Sequence, residues 1–492
     1  MEMEQEKRQN VSPLPHREGQ EEGLQEEGLG RLQYIELYAQ CRQLICEHSC
    51  DVMNAVRDQA FEDFKAQPFP SLHKGGVTLE RYKYTDMQKL FAPDYGLNLN
   101  RLEIPVDPYE AFRCDVPNLS TNLYFVINDS PLLTSPVGDE QSHHPKGRLP
   151  EGVIIGNLSS LAGEAGRGLY ARLAKTSDDV VTALNTMLAQ DALFVYVPKN
   201  VKVDRAIQVI NILKAPSLRG RAGGEAFMVN RRVLIVLEEG AELKMLFCDH
   251  TADDRHFLAT QVIEAYVGEN ASLDLYCLEE THYKNVRVSN VYIDQQANSR
   301  VNHNVITLHN GITRNKLDLT LSGEGAECQC YGCVIADKQQ HVDNNTLITH
   351  RVPHCTSNEL YKYVLDDKST GAFAGRVLVE HGAQKTVSQM TNQNLTATRE
   401  ARMYTQPMLE IYADDVKCAH GSTVGQLNDA ALFYMRQRGI SEREARILLQ
   451  QAFINEVIDK MQLQPLRDRL HYLVEKRFRG ELNKCVGCKL CK

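Results

Sequence analysis

The chain has 492 residues, of which 42% are hydrophobic and 24% are charged, and its formal net charge is −9. This composition is typical of a water-soluble globular protein with more than one domain. No run of about 18 apolar residues predicts a membrane span, and no basic tract predicts a nucleic-acid interface. We therefore expect neither a membrane nor a nucleic acid as a partner.

The first 30 residues carry eight Glu against three basic residues and contain no long apolar stretch. Such a segment is typical of a disordered acidic tail, and we assign residues 1–30 to it. It has the character of neither a secretory signal nor an organelle transit peptide. The chain also contains 14 Cys. We expect it in the cytoplasm, where thiols stay reduced and are available as metal or cluster ligands.

Residues 31–189 are predicted to form an N-terminal domain that is partly helical and partly mixed in structure. Apolar residues such as Ile35, Ile45 and Val52 follow a helical period and predict helices over about 31–64. The segment that follows these helices mixes short strand patterns with polar loops.

The character of the sequence changes near residue 190, where short runs of β-branched and apolar residues begin to recur. Between these runs stands a small turn in which Ala lies beside Gly or Asn. The Ala residues of this turn are Ala241, Ala271, Ala297, Ala326 and Ala383. They are spaced by 30, 26, 29 and 57 residues, the last interval being close to two repeats. A constant repeat of strands and turns is typical of stacked coils. We predict a parallel β-helix over 190–425, with a β-sandwich as the alternative.

After Gly425 the pattern becomes helical, and we assign residues 426–480 to a C-terminal helical domain. Ser441 and Glu444 form a capping box at the start of one helix, and Pro465 opens another. The apolar faces of these helices need a partner, which is either the end of the β-helix or another protein. The chain has no G-x4-GK[ST] loop for nucleotide phosphates, so we do not expect it to bind a nucleotide in this way.

A candidate metal-binding pair lies in the segment LEIYADDVKCAHGSTVG, residues 409–425, which begins with the alternation of a strand. Val416, Cys418 and His420 are two residues apart, so their side chains share one face. A thiolate and an imidazole about 6–7 Å apart along a strand can bind one metal or two edges of a small cluster. The pattern Cys-x-His alone is a weak signal, and two unrelated side chains remain the alternative.

A Cys-rich tail is predicted over residues 481–492. Cys485, Cys488 and Cys491 have the spacing of three ligands of a ferredoxin-type cluster. No fourth Cys follows them. We expect either a second cluster or metal on this triplet, with a further ligand from elsewhere, or a flexible and redox-sensitive tail.

Three stretches carry a resemblance to a known family: HVDNNTLITHRVPHCTSNELYK at 341–362, GRVLVEHGAQKT at 375–386 and LEIYADDVKCAHGSTVGQLNDAALFYMRQRGIS at 409–441. They resemble the SufB/SufD family of iron–sulfur cluster assembly proteins, closely so over about 340–460. The upstream β-repeats and the segment ERYKYTD at 80–86 agree with the layout of that family. The versions YADDVKCAHG and ALFYMRQRGI are most similar to SufD.

The resemblance implies a mainly β fold, in which a right-handed parallel β-helix is flanked by N-terminal and C-terminal helical regions. It implies a scaffold and not an enzyme, which helps to assemble nascent clusters at an interface with a SufB-like paralogue. A SufC-like ATPase is expected to bind the C-terminal helical region and to supply ATP hydrolysis. The Cys-x-His pair of SufD falls on Cys418 and His420. The resemblance makes His420 the main ligand of a transient iron–sulfur cluster at the subunit interface.

Two other functions stay open at this point. One is a redox or electron-transfer protein that carries a permanent iron–sulfur cluster on Cys485, Cys488 and Cys491. The other is a structural adaptor in which the pair Cys418 and His420 binds nothing. The sequence also leaves open whether the isolated chain forms a homodimer and which type of cluster is assembled.

Overall fold

The computed structural model describes residues 26–72, 77, 79–102, 104, 121–132, 149–161, 166–215 and 226–481. Within these ranges, helices stand before and after a long series of strands. The helices are α1 (Glu26–Glu47), α2 (Asp51–Ala66), α3 (Met87–Phe91), α4 (Val180–Leu188), α5 (Asp429–Gln437), α6 (Glu442–Ile458) and α7 (Gln464–Arg479). No helix in these ranges is long and apolar enough to cross a membrane.

The strands of the described chain are short at first and become longer and more uniform. The short ones are β1 (Asn122–Ile127), β2 (Ser130–Leu132), β3 (Ile154–Asn157), β4 (Leu193–Val197) and β5 (Ile207–Leu213). The longer ones are β6 (Ala226–Leu237), β7 (Glu242–Thr251), β8 (His256–Val267), β9 (Ser272–Glu280), β10 (Val286–Gln295), β11 (Arg300–His309), β12 (Ile312–Leu321), β13 (Glu327–Ala336), β14 (His341–His350), β15 (Thr356–Leu365), β16 (Thr370–Val379), β17 (Val387–Thr396), β18 (Arg402–Ile411) and β19 (Lys417–Gly425).

The long strands alternate between two parallel sheets, so that the chain winds as one continuous coil. Even-numbered strands from β4 to β18 follow one another in the first sheet, and odd-numbered strands from β5 to β19 follow one another in the second. Each strand is therefore hydrogen-bonded to the strand two further along the chain, which is the pairing of a parallel solenoid. The predicted mainly β fold, a parallel β-helix with flanking helices, is confirmed. Pairing also extends upstream of residue 190, because β1 pairs in parallel with β5.

The recurring turns lie at one corner of the solenoid, where consecutive coils stack on each other. Gly240, Asn270 and Asn298 have φ angles of 68°, 57° and 54°, in the left-handed region that Gly and Asn adopt most readily. Gly240 donates its backbone N–H to the carbonyl oxygen of Glu269 in the next coil at 2.8 Å. A side chain at Gly240 would collide with that of Asn200 in the preceding coil. These turns keep successive coils in register.

In-register pairing arranges the side chains between the two sheets in columns. One column contains Val301, Cys328, Ser357, Ser388 and Cys418, which are paired in turn on β11, β13, β15, β17 and β19. Its first four members are buried. The surroundings of an interior residue are therefore set by residues one coil away, which is roughly 30 positions in the sequence.

The interior carries buried charges near its N-terminal end. Arg231 and Arg287 both pair with Asp249, at 2.7 Å and 2.8 Å, and all three side chains are buried. Burial opposes the ionisation of Asp249, but the two guanidinium groups hold the pKa of its carboxyl below the usual range. Removal of one partner would leave an uncompensated buried charge, which is strongly destabilising.

The N-terminal helices are fixed to the first sheet by hydrogen bonds to backbone and side chains. Buried Arg57 of α2 donates to the carbonyl oxygens of Met187 and Ala189 at 2.8 Å each, which satisfies acceptors at the C-terminal end of α4. Asn185 of α4 donates to Thr260 Oγ1 of β8 at 2.9 Å. Helix α4 therefore links the helical region to the outer face of the even-numbered strands.

Helices α6 and α7 cover the outer face of the odd-numbered strands. Arg477 of α7 donates to the carbonyl oxygen of Leu308 at 2.6 Å and pairs with Asp337 at 2.7 Å. Lys362 of β15 pairs with Glu456 of α6. Apolar residues of both helices form one buried cluster with outward-facing strand residues. The apolar faces of α6 and α7 are therefore covered by the solenoid and not by another protein.

One buried carboxyl group provides a test of this interior. Glu359 of β15 is fully buried, and the polar side chain that favours its ionised form is that of Thr346. Burial raises the pKa of Glu359 from 4.5 to about 7. The folded protein therefore holds this proton more tightly than the unfolded chain, so stability is lost as the pH rises through this interval.

We expect Glu359→Gln to raise the free energy of unfolding by about 2–3 kcal/mol more at pH 8 than at pH 5. The glutamine cannot ionise, so it removes the cost of burying the carboxylate at pH 8. Urea unfolding at the two pH values measures the difference. Glu327→Gln, at an exposed position of β13, is the matched control and should show no such difference. An equal effect of Glu359→Gln at both pH values would contradict the pKa assignment.

Candidate functional site

The last coil of the solenoid lacks a next coil to pair with. Strand β18 ends the even-numbered sheet and β19 ends the odd-numbered sheet, so each has one edge without a strand partner in the described chain. Apolar and aromatic side chains accompany these edges. Tyr404, Ile411, Tyr412 and Val424 are between 40% and 53% exposed. Unpaired edges of this kind are suited to pairing with a strand of another chain.

Strand β19 brings Cys418 and His420 to this open end. In the pairing of β19 with β17, Cys418 stands opposite Ser388 and His420 stands opposite Met390. Ser388 and Met390 are buried in the interior, so Cys418 and His420 face the side on which the interior opens to solvent. Cys418 is half-buried and His420 is exposed. The shared face expected from the alternation of the sequence agrees with this register.

The thiol of Cys418 is fixed on its inner side. Cys418 and Val416 pack against the main core. Burial raises the pKa of the Cys418 thiol, and a hydrogen bond with the backbone of Ser388 partly offsets this effect. Thiolate and imidazole are side-chain types that bind iron and iron–sulfur clusters.

A chain of side-chain hydrogen bonds inside the solenoid ends at Ser388, the residue opposite Cys418. His350 Nε2 is 2.9 Å from Ser357 Oγ, and Ser357 donates to Ser388 Oγ at 2.8 Å. Burial lowers the pKa of His350 to about 4, so its imidazole is neutral at pH 7. The sequence pattern did not single out His350. The signal that could have found this chain is the repeat, which places Ser357, Ser388 and Cys418 at equivalent positions of successive coils.

Cys418 and His420 form an incomplete ligand set. The described residues contain no group of three or more His, Cys, Asp or Glu side chains placed to hold a metal ion. Iron and iron–sulfur clusters take more ligands than two. A cluster held at the open end therefore needs further ligands from a second chain or from another component of the assembly.

The remaining sequence predictions concern the two terminal segments and the other cysteines. Cys485, Cys488 and Cys491 lie outside the described residues, as do residues 1–25 of the predicted acidic tail. The cysteines that the structure describes are free thiols, and those on the strands before β19 are buried. Among the described cysteines of the solenoid, only the one on β19 therefore approaches the solvent.

Helix α5, which follows β19 directly, is poorly covered by the rest of the described chain. Leu432 of this helix is buried, whereas Phe433 and Tyr434 are 63% and 57% exposed. Asn428 caps the helix by accepting hydrogen bonds from two backbone N–H groups. A well-formed helix that exposes two neighbouring aromatic rings is typical of a surface that binds another protein.

Two family models match most of the chain. Residues 30–209 match "SufBD protein N-terminal region", and residues 220–453 match "SUF system FeS cluster assembly, SufBD core domain". The second match contains β6–β19 together with α5 and most of α6.

Curated relatives agree with these matches. The iron–sulfur cluster assembly protein SufD of Escherichia coli is 29% identical over 306 residues, which cover 61% of this chain and 70% of that protein. SufD of Bacillus subtilis is 24% identical over 432 residues, covering 86% and 93%. An iron–sulfur cluster assembly SufBD family protein of Synechocystis sp. is 27% identical over 427 residues, covering 83% and 86%.

The parallel solenoid, its open end and these matches together define a class, the β-solenoid proteins of iron–sulfur cluster assembly. The chain belongs to the SufB/SufD family of the SUF system, and within that family it is most like SufD.

Proposed function

We propose that this chain is a scaffold subunit of a SUF iron–sulfur cluster assembly complex and has no catalytic activity of its own. Its open solenoid end meets that of a SufB-like paralogue, and a nascent cluster is assembled between them as cargo. The observation that carries the proposal is the position of His420 and Cys418 on the terminal strand β19, beside two unpaired strand edges. An incomplete ligand set on a surface suited to strand pairing is expected of a site shared by two chains.

A SufC-like ATPase is the second partner in this proposal. The chain has no phosphate-binding loop of its own. Its C-terminal helical region continues directly from β19, and α5 exposes Phe433 and Tyr434. Movement of this region on ATP hydrolysis by the partner is thereby transmitted to the strand that carries His420. When the paralogue is absent, the same strand edges allow two copies of this chain to pair as a homodimer.

The cytoplasm is the compartment that suits this function. The described cysteines are all free thiols, and the half-buried Cys418 must stay reduced to act as a ligand.

We expect His420→Ala to abolish cluster supply while leaving the complex assembled. The exposed imidazole contributes little packing, so its removal takes away a ligand and not the fold. The measurement is growth of a strain that has no other cluster assembly pathway, rescued by each variant, with complex formation checked by co-purification. Cys418→Ala should have a smaller or similar effect.

His354→Asn is the matched control, because His354 is also exposed but lies at a turn with a φ of 61°, which Asn accepts. It should rescue growth fully. Full rescue by His420→Ala at normal complex levels would disprove a role of this side chain in cluster formation.

For the ATPase partner, we expect the double variant Phe433→Ala/Tyr434→Ala to weaken binding by at least about tenfold. Both rings are exposed, so the melting temperature should stay within about 2 °C of that of the unaltered protein. Titration of a SufC-like ATPase followed by calorimetry measures the affinity. Tyr283→Ala removes an exposed ring on a distant solenoid loop and should change nothing. Unchanged affinity of the double variant would rule out α5 as the docking helix.

The Cys triplet of the tail is proposed as a second metal or cluster site, for which its spacing is the support. We expect the triple variant Cys485→Ser/Cys488→Ser/Cys491→Ser to lose thiolate-to-iron absorbance after anaerobic reconstitution. A brown colour of the protein as purified, lost in this variant, would favour the alternative of a redox protein with a permanent cluster. An unchanged spectrum after reconstitution would show that the triplet binds no iron.

A further inference from the structure

A short segment of the N-terminal region crosses the outer face of the even-numbered sheet and reaches the terminal strand β18. This segment, Glu80–Asp86, is called the strap below. It has the sequence ERYKYTD, begins with a single 3-10 turn, Glu80–Tyr82, and leads into α3. More than 300 residues separate it from β18 in the chain, so its contacts with β18 are purely tertiary.

The first half of the strap is anchored by buried polar groups. The Tyr82 hydroxyl donates to Asp179 Oδ2 at 2.6 Å, and the Arg314 guanidinium lies 4.3 Å from the centre of the Tyr82 ring. Arg314 Nη2 also donates to the carbonyl oxygen of Arg81 at 2.5 Å. Tyr82, Asp179 and Arg314 are all buried. These contacts attach the strap to β12 and to the start of α4.

The second anchor lies on the next even-numbered strand, β14. Thr85 Oγ1 donates to Asp343 Oδ2 at 2.6 Å, and Arg314 Nη1 pairs with the same carboxylate oxygen at 2.8 Å. His341 Nε2 is 3.1 Å from Thr85 Oγ1. Because Thr85, Asp343 and Arg314 are buried and mutually paired, the strap has one fixed position on the sheet.

The exposed side of the strap binds the terminal strand β18. The ring of Tyr84 stacks on that of Tyr404 with centroids 5.1 Å apart and an interplanar angle of 20°. Gln406 donates to Glu80 Oε1 at 2.7 Å, and its amide oxygen accepts from the Tyr84 hydroxyl at 3.1 Å and from Lys83 Nζ at 3.3 Å. Three strap residues thus hold a single glutamine.

These contacts leave the pairing edge of β18 untouched. Tyr404 and Gln406 stand opposite Ala372 and Ala374 of β16, and their side chains point outward from the sheet toward the strap. The backbone groups on the other edge of β18 have no strand partner in the described chain. A terminal strand is otherwise held by a single neighbouring strand and frays readily. The strap therefore stabilises β18 through contacts on its outer face.

We propose that the strap is a positioning element of the partner-docking surface. Through Gln406 and Tyr404 it holds β18 in the extended conformation with which the terminal strand of a SufB-like paralogue pairs. The inference rests on the proposed function, because it takes that paralogue as the occupant of the edge. Its physical basis is preorganisation: an edge strand that is ordered before association costs less conformational entropy on binding.

The test is the double variant Tyr84→Ala/Gln406→Ala. It removes the ring stack on Tyr404 and the hydrogen bonds of Gln406 to the strap, but no backbone group of β18. We expect the Kd for the SufB-like paralogue to rise about tenfold and hydrogen exchange of the β18 amides in the isolated chain to become faster, with exchange in β16 unchanged. Tyr84→Phe keeps the ring stack but loses the hydroxyl, so its Kd and its β18 exchange rates should lie between those of the unaltered chain and the double variant. This single variant preserves the test if the double variant folds poorly.

Glu410→Gln is the matched control, because Glu410 is on the same strand and pairs with Arg376 at 2.6 Å, away from the strap contacts. It should bind the paralogue as the unaltered chain does. A Kd of the double variant within twofold of the unaltered value would overturn the inference, as would a raised Kd with unchanged exchange in β18. Failure of the unaltered chain to bind the paralogue would instead refute the proposed function, while exchange in β18 would still report on the strap.

Discussion

The hydrogen bonding of each coil to the next, residue for residue, is the constraint on which the rest of this structure depends. Strand β12 pairs with β10 and with β14 at every one of its ten positions, and equivalent turns stack at the corner occupied by Asn270 and Asn298. Because a solenoid coil is held only by its neighbours, the series must end in a coil with unpaired edges. The last coil carries Cys418 and His420, so the candidate site and the partner surface arise from the same termination.

The polarity of the interior changes along the solenoid in a way that suits this open end. Near the start, the carboxylate of Asp249 is paired with both Arg231 and Arg287, out of contact with water. Between β17, β18 and β19 the polar interior groups form neutral hydrogen bonds, from Thr405 to Asn392 and between Thr405 and a neighbouring Ser on β19. Neutral hydroxyl and amide groups cost little free energy whether they are partly hydrated or fully buried. The free energy of a half-buried ion pair would instead change strongly when a partner binds and excludes water.

The two helical regions stabilise the faces of the solenoid and leave its end accessible. Arg477 fixes α7 to the odd-numbered sheet through a carbonyl oxygen and a carboxylate. Arg57 fixes α2 to α4, which lies on the even-numbered sheet. The strap extends this second attachment as far as Gln406 on the terminal strand. Parts of both faces are thus covered by the protein's own chain, whereas the edges of β18 and β19 have no strand partner in the described residues and α5 exposes two aromatic rings.

Local patterns and the internal repeat predicted the coils, the candidate pair and the C-terminal helices, but not the individual helix α4 or strand β1. The repeat of Ala turns predicted the parallel coils, Ser441 caps α6 as its capping box predicted, and strand alternation placed Cys418 and His420 on one face. Only the tertiary structure decided that His350 is hydrogen-bonded through Ser357 to Ser388, the residue opposite Cys418, that the solenoid covers α6 and α7, and that the strap holds β18. The physical reason is range: strand alternation and capping act over a few residues and the turn repeat over one coil, whereas these contacts depend on how side chains, helices and the strap pack together, across separations of up to 326 positions.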